Sequence, residues 1–170
     1  STLKEGKVVA SSNPMPKQLI GSPNLSVIGD FYYGNIDSGK GLYFIYDANK
    51  ENLKWVEFPE PLQSPKGDFT VMNMNRITVN PQQEKIVSAM GYYNLLFLYD
   101  KNGKLIKTVQ LGEKLISPTI IGDYHISEDN LICGRDIEST DNDVYVLMQN
   151  VKDKDFEKIN NEPSRIICLD

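Results

Sequence analysis

Two stretches of this chain carry one order of events. In GLYFIYDANKENLKWVEF (41–58) and NLLFLYDKNGKLIKTV (94–109) an apolar run ends in Tyr-Asp, passes through a polar turn containing Asn, and leaves on a second strand-like run. Asn102-Gly103 tolerates the positive φ that a tight turn between twisted strands demands, so each stretch reads as an antiparallel hairpin. Upstream of the second, RITVNPQQEKIVSAM (76–90) reads as two more strands joined at Asn80-Pro81-Gln82-Gln83. Strand, strand, Tyr-Asp strand, outgoing strand is the order of a four-stranded antiparallel blade. Such a blade cannot bury both faces alone and has to stack on neighbours.

The rest of the chain agrees with that frame. Val-, Ile-, Tyr- and Phe-rich runs recur, LSVIGDFYYGNI (25–36) among them, each bounded by Gly, Pro, Asn or Asp. Apolar residues nowhere keep a helical period for three turns with caps. The interval from Asp47 to Asp100 is close to the roughly 40 to 50 residues of blade repeats. The next echo, IICLD (166–170), comes later than that period allows, and the polar stretches RDIESTDND (135–143) and NVKDKDFEKINNEPS (150–164) account for the excess as insertions flanking a strand at VYVLMQ (144–149). FYYG (31–34) and GYYN (91–94) read as matching aromatic segments before the two Tyr-Asp strands. The expectation is an all-β chain, a partial β-propeller of four-stranded antiparallel blades. It forms one domain over 1–170 with blades at approximately 1–60, 61–112 and 113–170, the last incomplete.

Composition narrows the classes of function. The 170 residues are 40% hydrophobic and 24% charged, the mixture of an ordinary globular protein. A net charge of −5 without a basic block gives nucleic acid or an anionic membrane no footprint. No run of 18 apolar residues suggests membrane insertion, and STLKEGKVV lacks the pattern of a signal peptide. Cys133 and Cys168 lie far apart in apolar runs, and the expectation is two buried free thiols.

Catalytic sets are hard to assemble. His125 is the only histidine, which removes HExxH sites and leaves a Ser-His-Asp arrangement without a GxSxG elbow. Asp136, Glu138, Asp141 and Asp143, and again Asp153, Asp155 and Glu157, supply oxygens, but neither group has calcium-loop spacing, so both read as solvated loops. No catalytic residue, metal ligand or cofactor is expected. Tyr32, Tyr33, Tyr92 and Tyr93 fit packing between blades. Tyr92 and Tyr93, in the loop before a strand, are the candidate ligand-binding residues, because aromatics grouped at strand ends can stack on a sugar or grip a peptide.

RITVNPQQEKIVSAMGYYNLLFLYDKNGKLIKTV, followed by DNDVYVLMQNV and SRIICLD, resembles the TolB-like six-bladed β-propellers of Bacteroidetes over residues 25–170. The chain departs from a full ring, which needs roughly 250 to 300 residues, and its third repeat lacks the turn and outer strand. The resemblance implies a protein of the cell envelope, periplasmic or surface-exposed. It also implies a non-catalytic binding or scaffold module for a protein, peptide or glycan ligand. The alternative is a lactonase- or lyase-like propeller enzyme using carboxylates and a metal at the channel. An incomplete blade would leave the strand edge at 166–170 open, and two copies are expected to pair through it as a homodimer.

Overall fold

The computed structural model describes residues 2–4, 7–9, 15–22, 24–36, 40–62, 73–121, 125–158 and 165–169. Its strands in chain order are β1 (Thr2–Lys4), β2 (Lys7–Val9), β3 (Leu25–Ile28), β4 (Phe31–Gly34), β5 (Tyr43–Asp47), β6 (Asn52–Val56), β7 (Asn75–Asn80), β8 (Lys85–Met90), β9 (Leu95–Asp100), β10 (Leu105–Gln110), β11 (Ile120–Ile121), β12 (His125–Ile126), β13 (Leu131–Ser139), β14 (Val144–Lys152) and β15 (Arg165–Leu169). Short 3-10 turns lie at Lys17–Leu19 and Asp153–Lys158. Strands β3 to β6 form one antiparallel meander and β7 to β10 a second, each with its strands in chain order. Strands β13 to β15 form a three-stranded meander, and β1–β2 and β11–β12 are two-stranded ladders.

Period-two alternation gives every blade two faces, and these faces make the core. In the middle sheet Ile77, Ile86, Phe97 and Tyr99 pack against Tyr33, Tyr43, Ile45 and Val56 of the first sheet. Its opposite face, with Val87, Ala89 and Leu96, packs against Cys133, Ile137, Val146 and Met148 of the third. Burying one such side chain stabilises by about 1.5–3 kcal/mol, so the face-to-face stack is the main source of order. The first strands of the three sheets converge, β3 and β13 both touching β7. Meander sheets stacked by their faces with first strands brought together are adjacent blades of a β-propeller, and the protein is all-β in this partial form.

The Tyr-Asp repeat has a physical cause in both blades. Tyr46 and Tyr99 are buried on corresponding faces, one on the outward face of the first sheet and one between the first and second. The aspartate that follows holds the turn. Asp47 Oδ1 accepts the backbone N–H groups of Asn49 and Lys50 at 3.0 and 3.2 Å. Asp100 Oδ1 accepts those of Asn102 and Lys104, both at 2.9 Å. The turn at Asn102-Gly103 is wider than the two-residue form: Asp100 N–H donates to the Lys104 carbonyl at 3.0 Å, and Gly103, not Asn102, takes the left-handed conformation at φ +81°. A Cβ at Gly103 would stand 2.6 Å from Val56 Cγ2, so glycine also lets the first sheet approach this turn.

Three local expectations are corrected. FYYG is strand β4, paired with β3 and β5, while GYYN is a loop, so the two segments are not equivalent. Gly29, with φ +58°, and Asp30 turn the chain tightly enough to fit two strands into 25–34. RDIES is not a polar insertion but the second half of β13, whose charged residues are exposed while Ile137 packs against the middle sheet. The thiols are both free, yet only Cys133 is buried and Cys168 is exposed. On β15 the alternating partners Ile167 and Leu169 face the middle sheet, which turns Cys168 to the other side.

Candidate functional site

Where the first strands converge, each has one edge without a neighbour in its own sheet, and a cleft of about 570 Å³ opens there. Among its lining residues are Val27 of β3, Arg76 and Thr78 of β7, and Asp136 and Glu138 of β13. Alternation sends every second residue of these strands into the core and leaves the intervening polar ones at the groove. The carboxylates read from sequence as parts of a solvated loop therefore border a concave surface.

Arg76 also lines a second, adjoining cleft of about 260 Å³. Asn75 and Arg76 enter it from the start of β7, Tyr92 from the loop between β8 and β9, Arg135 from β13, and Asp153 and Phe156 from the 3-10 turn after β14. Backbone bonds fix that loop between two sheets. Gly91 N–H donates to the Met74 carbonyl at 2.7 Å, and Cys133 N–H donates to the Gly91 carbonyl at 2.6 Å. Close approach continues at Gly134, where a Cβ would meet the Met90 carbonyl oxygen at 2.7 Å.

Inside the cleft, Tyr92 Oη donates to Asp153 Oδ2 at 2.9 Å. Burial first, then this hydrogen bond and the charge of Asp153, push the Tyr92 phenol well above its ordinary value, so it stays a neutral donor. Arg135 Nη1 donates to Gln149 Oε1 at 3.0 Å, and its guanidinium lies 4.3 Å from the centre of the Phe156 ring. Arg76 Nη1 makes a long bond, 3.3 Å, to the Asn75 carbonyl. Among the described residues no carboxylate is within ion-pair distance of either guanidinium. Asn75, 4% exposed, turns its side chain toward the first sheet, donating through Nδ2 to the carbonyls of Leu42 and Asn73 at 2.9 and 3.1 Å, and its buried Oδ1 has no partner among the described residues.

The two tyrosines singled out by sequence are placed differently. Tyr92 lines the cleft, whereas Tyr93, 5% exposed, belongs to the core shared by the first and second sheets. Tyr33 lies in that same core, and Tyr32 packs on Tyr46 with ring centres 6.3 Å apart. Arg76, Arg135 and Phe156 escaped sequence reasoning, and Asp153, read there as part of a solvated loop, instead accepts from Tyr92 at the cleft. They are isolated in the chain and form no local motif, and the stretches holding Arg135 and Asp153 read as insertions. Among the described residues no group of three His, Cys, Asp or Glu is placed to hold a metal ion, and no helix is long and apolar enough to cross a membrane.

No protein-family profile matches the chain. No curated protein matches it either. Among solved structures it is similar to the β-propeller domain of Myceliophteria thermophila Cps50 (Swd1), at 12% identity and a TM-score of 0.43 over 88% of this chain. The chain spans 39% of the length of that structure.

Proposed function

We propose that the protein is a non-catalytic binding or scaffold module, a single domain of three blades. The observation that carries this reading is the cleft beside Tyr92. Two arginines that meet no carboxylate among the described residues, and a neutral phenol already committed to Asp153, line a recognition surface in which no described nucleophile is paired to a base. By the resemblance of its repeats, it is a TolB-like six-bladed propeller of the Bacteroidetes type, working in the cell envelope at the periplasmic or outer surface. Its ligand is a protein, peptide or glycan. Two copies pair through the outer edge of β15, which meets no strand among the described residues.

Asp136 and Glu138 at the larger cleft give the enzyme reading its one foothold, since a lactonase or lyase would use carboxylates there with a metal. Peptide and glycan arrays probed with the purified protein, beside lactone and polyuronide turnover assays in millimolar calcium, separate the two. Saturable binding without turnover is expected. Calcium-dependent turnover abolished by Asp136→Asn would overturn the binding-module reading.

A further inference from the structure

From the docking of an exposed Asn-Gly turn onto the first sheet, we infer that Asn102 is a site of spontaneous deamidation, gated by opening of the β9–β10 turn and yielding isoaspartate at the contact between the first two blades. The co-reactant is water. The modification concerns the covalent state of the chain and is independent of what the clefts bind.

Asn102-Gly103 is the chain's only Asn-Gly pair. A glycine after asparagine leaves its backbone nitrogen unhindered by a Cβ, so that nitrogen can reach the side-chain carbonyl carbon. The side-chain amides of Asn35, Asn49, Asn75, Asn80, Asn94 and Asn130 are all committed to partners. Asn102 is exposed, and its side-chain amide bonds to no described residue. Asn24, Asn52, Asn142 and Asn150 have no side-chain bond among the described residues either, but Leu, Leu, Asp and Val follow them and crowd the attacking nitrogen.

The step balances with water alone. Gly103 gives up its N–H proton to base, its nitrogen bonds to Asn102 Cγ, and the Cγ–Nδ2 bond breaks as the amide nitrogen takes up a proton and leaves as ammonia. Water then opens the five-membered imide. Opening at the former side-chain carbonyl leaves aspartate. Opening at the main-chain carbonyl leaves isoaspartate, whose backbone runs through the side chain, carries one extra methylene and sets the former main-chain carbonyl free as a carboxylate.

Turn geometry supplies the gate. Gly103 N–H donates to the Asp100 carbonyl at 3.0 Å, the closing bond of a type I turn with Asn102 at its third position, so the attacking nitrogen is engaged until the turn opens. Asp100 Oδ1 clamps the same turn through the N–H groups of Asn102 and Lys104. The first sheet holds it from outside: Tyr33 Oη donates to the Lys101 carbonyl at 3.0 Å and Lys54 Nζ to the Asn102 carbonyl at 2.9 Å. That last carbonyl is the one isoaspartate turns into a carboxylate, so Lys54 keeps a partner and gains a charged one. The added methylene displaces Gly103, where a Cβ would already stand 2.6 Å from Val56 Cγ2, and loosens the packing of the first sheet on the turn.

Peptide mapping by mass spectrometry follows the gain of one mass unit at each asparagine while the purified protein is held at pH 8, native or in concentrated urea, with isoaspartate told from aspartate by electron-transfer fragmentation. Asn102 is expected to react first in both, at least about tenfold more slowly in the native protein. Asp100→Ala should raise the native rate at least about threefold, and Asp47→Ala, which unclamps the matching turn of the first blade, should leave it within about twofold. Another asparagine reacting first in the native protein, equal native and urea rates, or an Asp100→Ala rate no higher than that of Asp47→Ala each overturns the inference. The native and urea comparison uses unaltered protein, so it stands even if a variant folds poorly. The separated isoaspartyl form should unfold at lower urea than Asn102→Asp, which adds the charge without the methylene, and equal midpoints would refute the loosened contact.

Discussion

The outward face of the first sheet and the outward face of the third are built on the same alternation but meet different fates. On the first, Phe44, Tyr46, Leu53 and Trp55 form an aromatic surface, Phe44 and Trp55 edge to face at 5.8 Å, and Leu19 from the 3-10 turn at Lys17–Leu19 lies on it fully buried. On the third, Tyr145, Ile166 and Cys168 are exposed, Ile166 to 72%, and no element among the described residues lies over them. The middle sheet has a neighbour on both sides and shows neither condition. A blade face is thus not intrinsically inside or outside. A short turn carrying one leucine does for the first sheet part of what a whole neighbouring sheet does for the second.

Removing that leucine should have the largest effect. Leu19→Ala is expected to cost about 2–5 kcal/mol in urea unfolding, because it deletes a fully buried side chain and leaves a cavity against Phe44 and Tyr46. A cost below about 1 kcal/mol would show that the turn does not seal the first face in solution.

The two thiols compare the buried and open faces next. Cys168 should react with a disulfide reagent at pH 8 at least about tenfold faster than Cys133, whose reaction waits on local opening. Burial pushes the Cys133 thiol up to about 11 from its ordinary 9.0. The folded state therefore holds this proton more tightly than the unfolded chain does. Its contribution to stability is fully present below pH 9 and is lost as pH rises from about 9 through 11. Tyr33, pushed up to about 12 mainly by burial, extends the same loss to higher pH. A Cys133→Ala variant whose stability falls as steeply as the parent's from pH 9 to 11 would remove the thiol from this account.

Ile166→Ala should do least. At an exposed position on the open face the change in stability is expected to stay within about 0.5 kcal/mol. A loss approaching that of Leu19→Ala, especially one that grows with protein concentration, would mean that the third face is covered in solution by a second copy. Sedimentation of the same samples would then show the dimer dissolved by the substitution.

Much of the fold was legible because its causes are local. Alternation in NLLFLYD and KIVSAM fixed which residues could face a neighbour, and the polar turn between paired runs fixed the hairpins. The aspartate of each Tyr-Asp pair bonds to N–H groups within four residues of itself, so its role could be written into a short motif. Where the reading failed, the local signal was ambiguous: FYYG resembles GYYN in composition, and only the pairing of Phe31–Gly34 with both β3 and β5 makes it a strand.

The candidate site was hardly legible at all. The sequence by itself determined strands, turns, the two-faced character of each sheet and the scarcity of catalytic sets. Tertiary structure alone decided that Tyr92 would reach Asp153, 61 positions away, and that Tyr93 beside it would turn into the core. It also decided that arginines from two different sheets would share one cleft. The reason is physical: hydrogen bonds within a turn and alternation along a strand act over a few residues. The meeting of first strands is set by how whole faces pack, and no stretch of the chain encodes it alone.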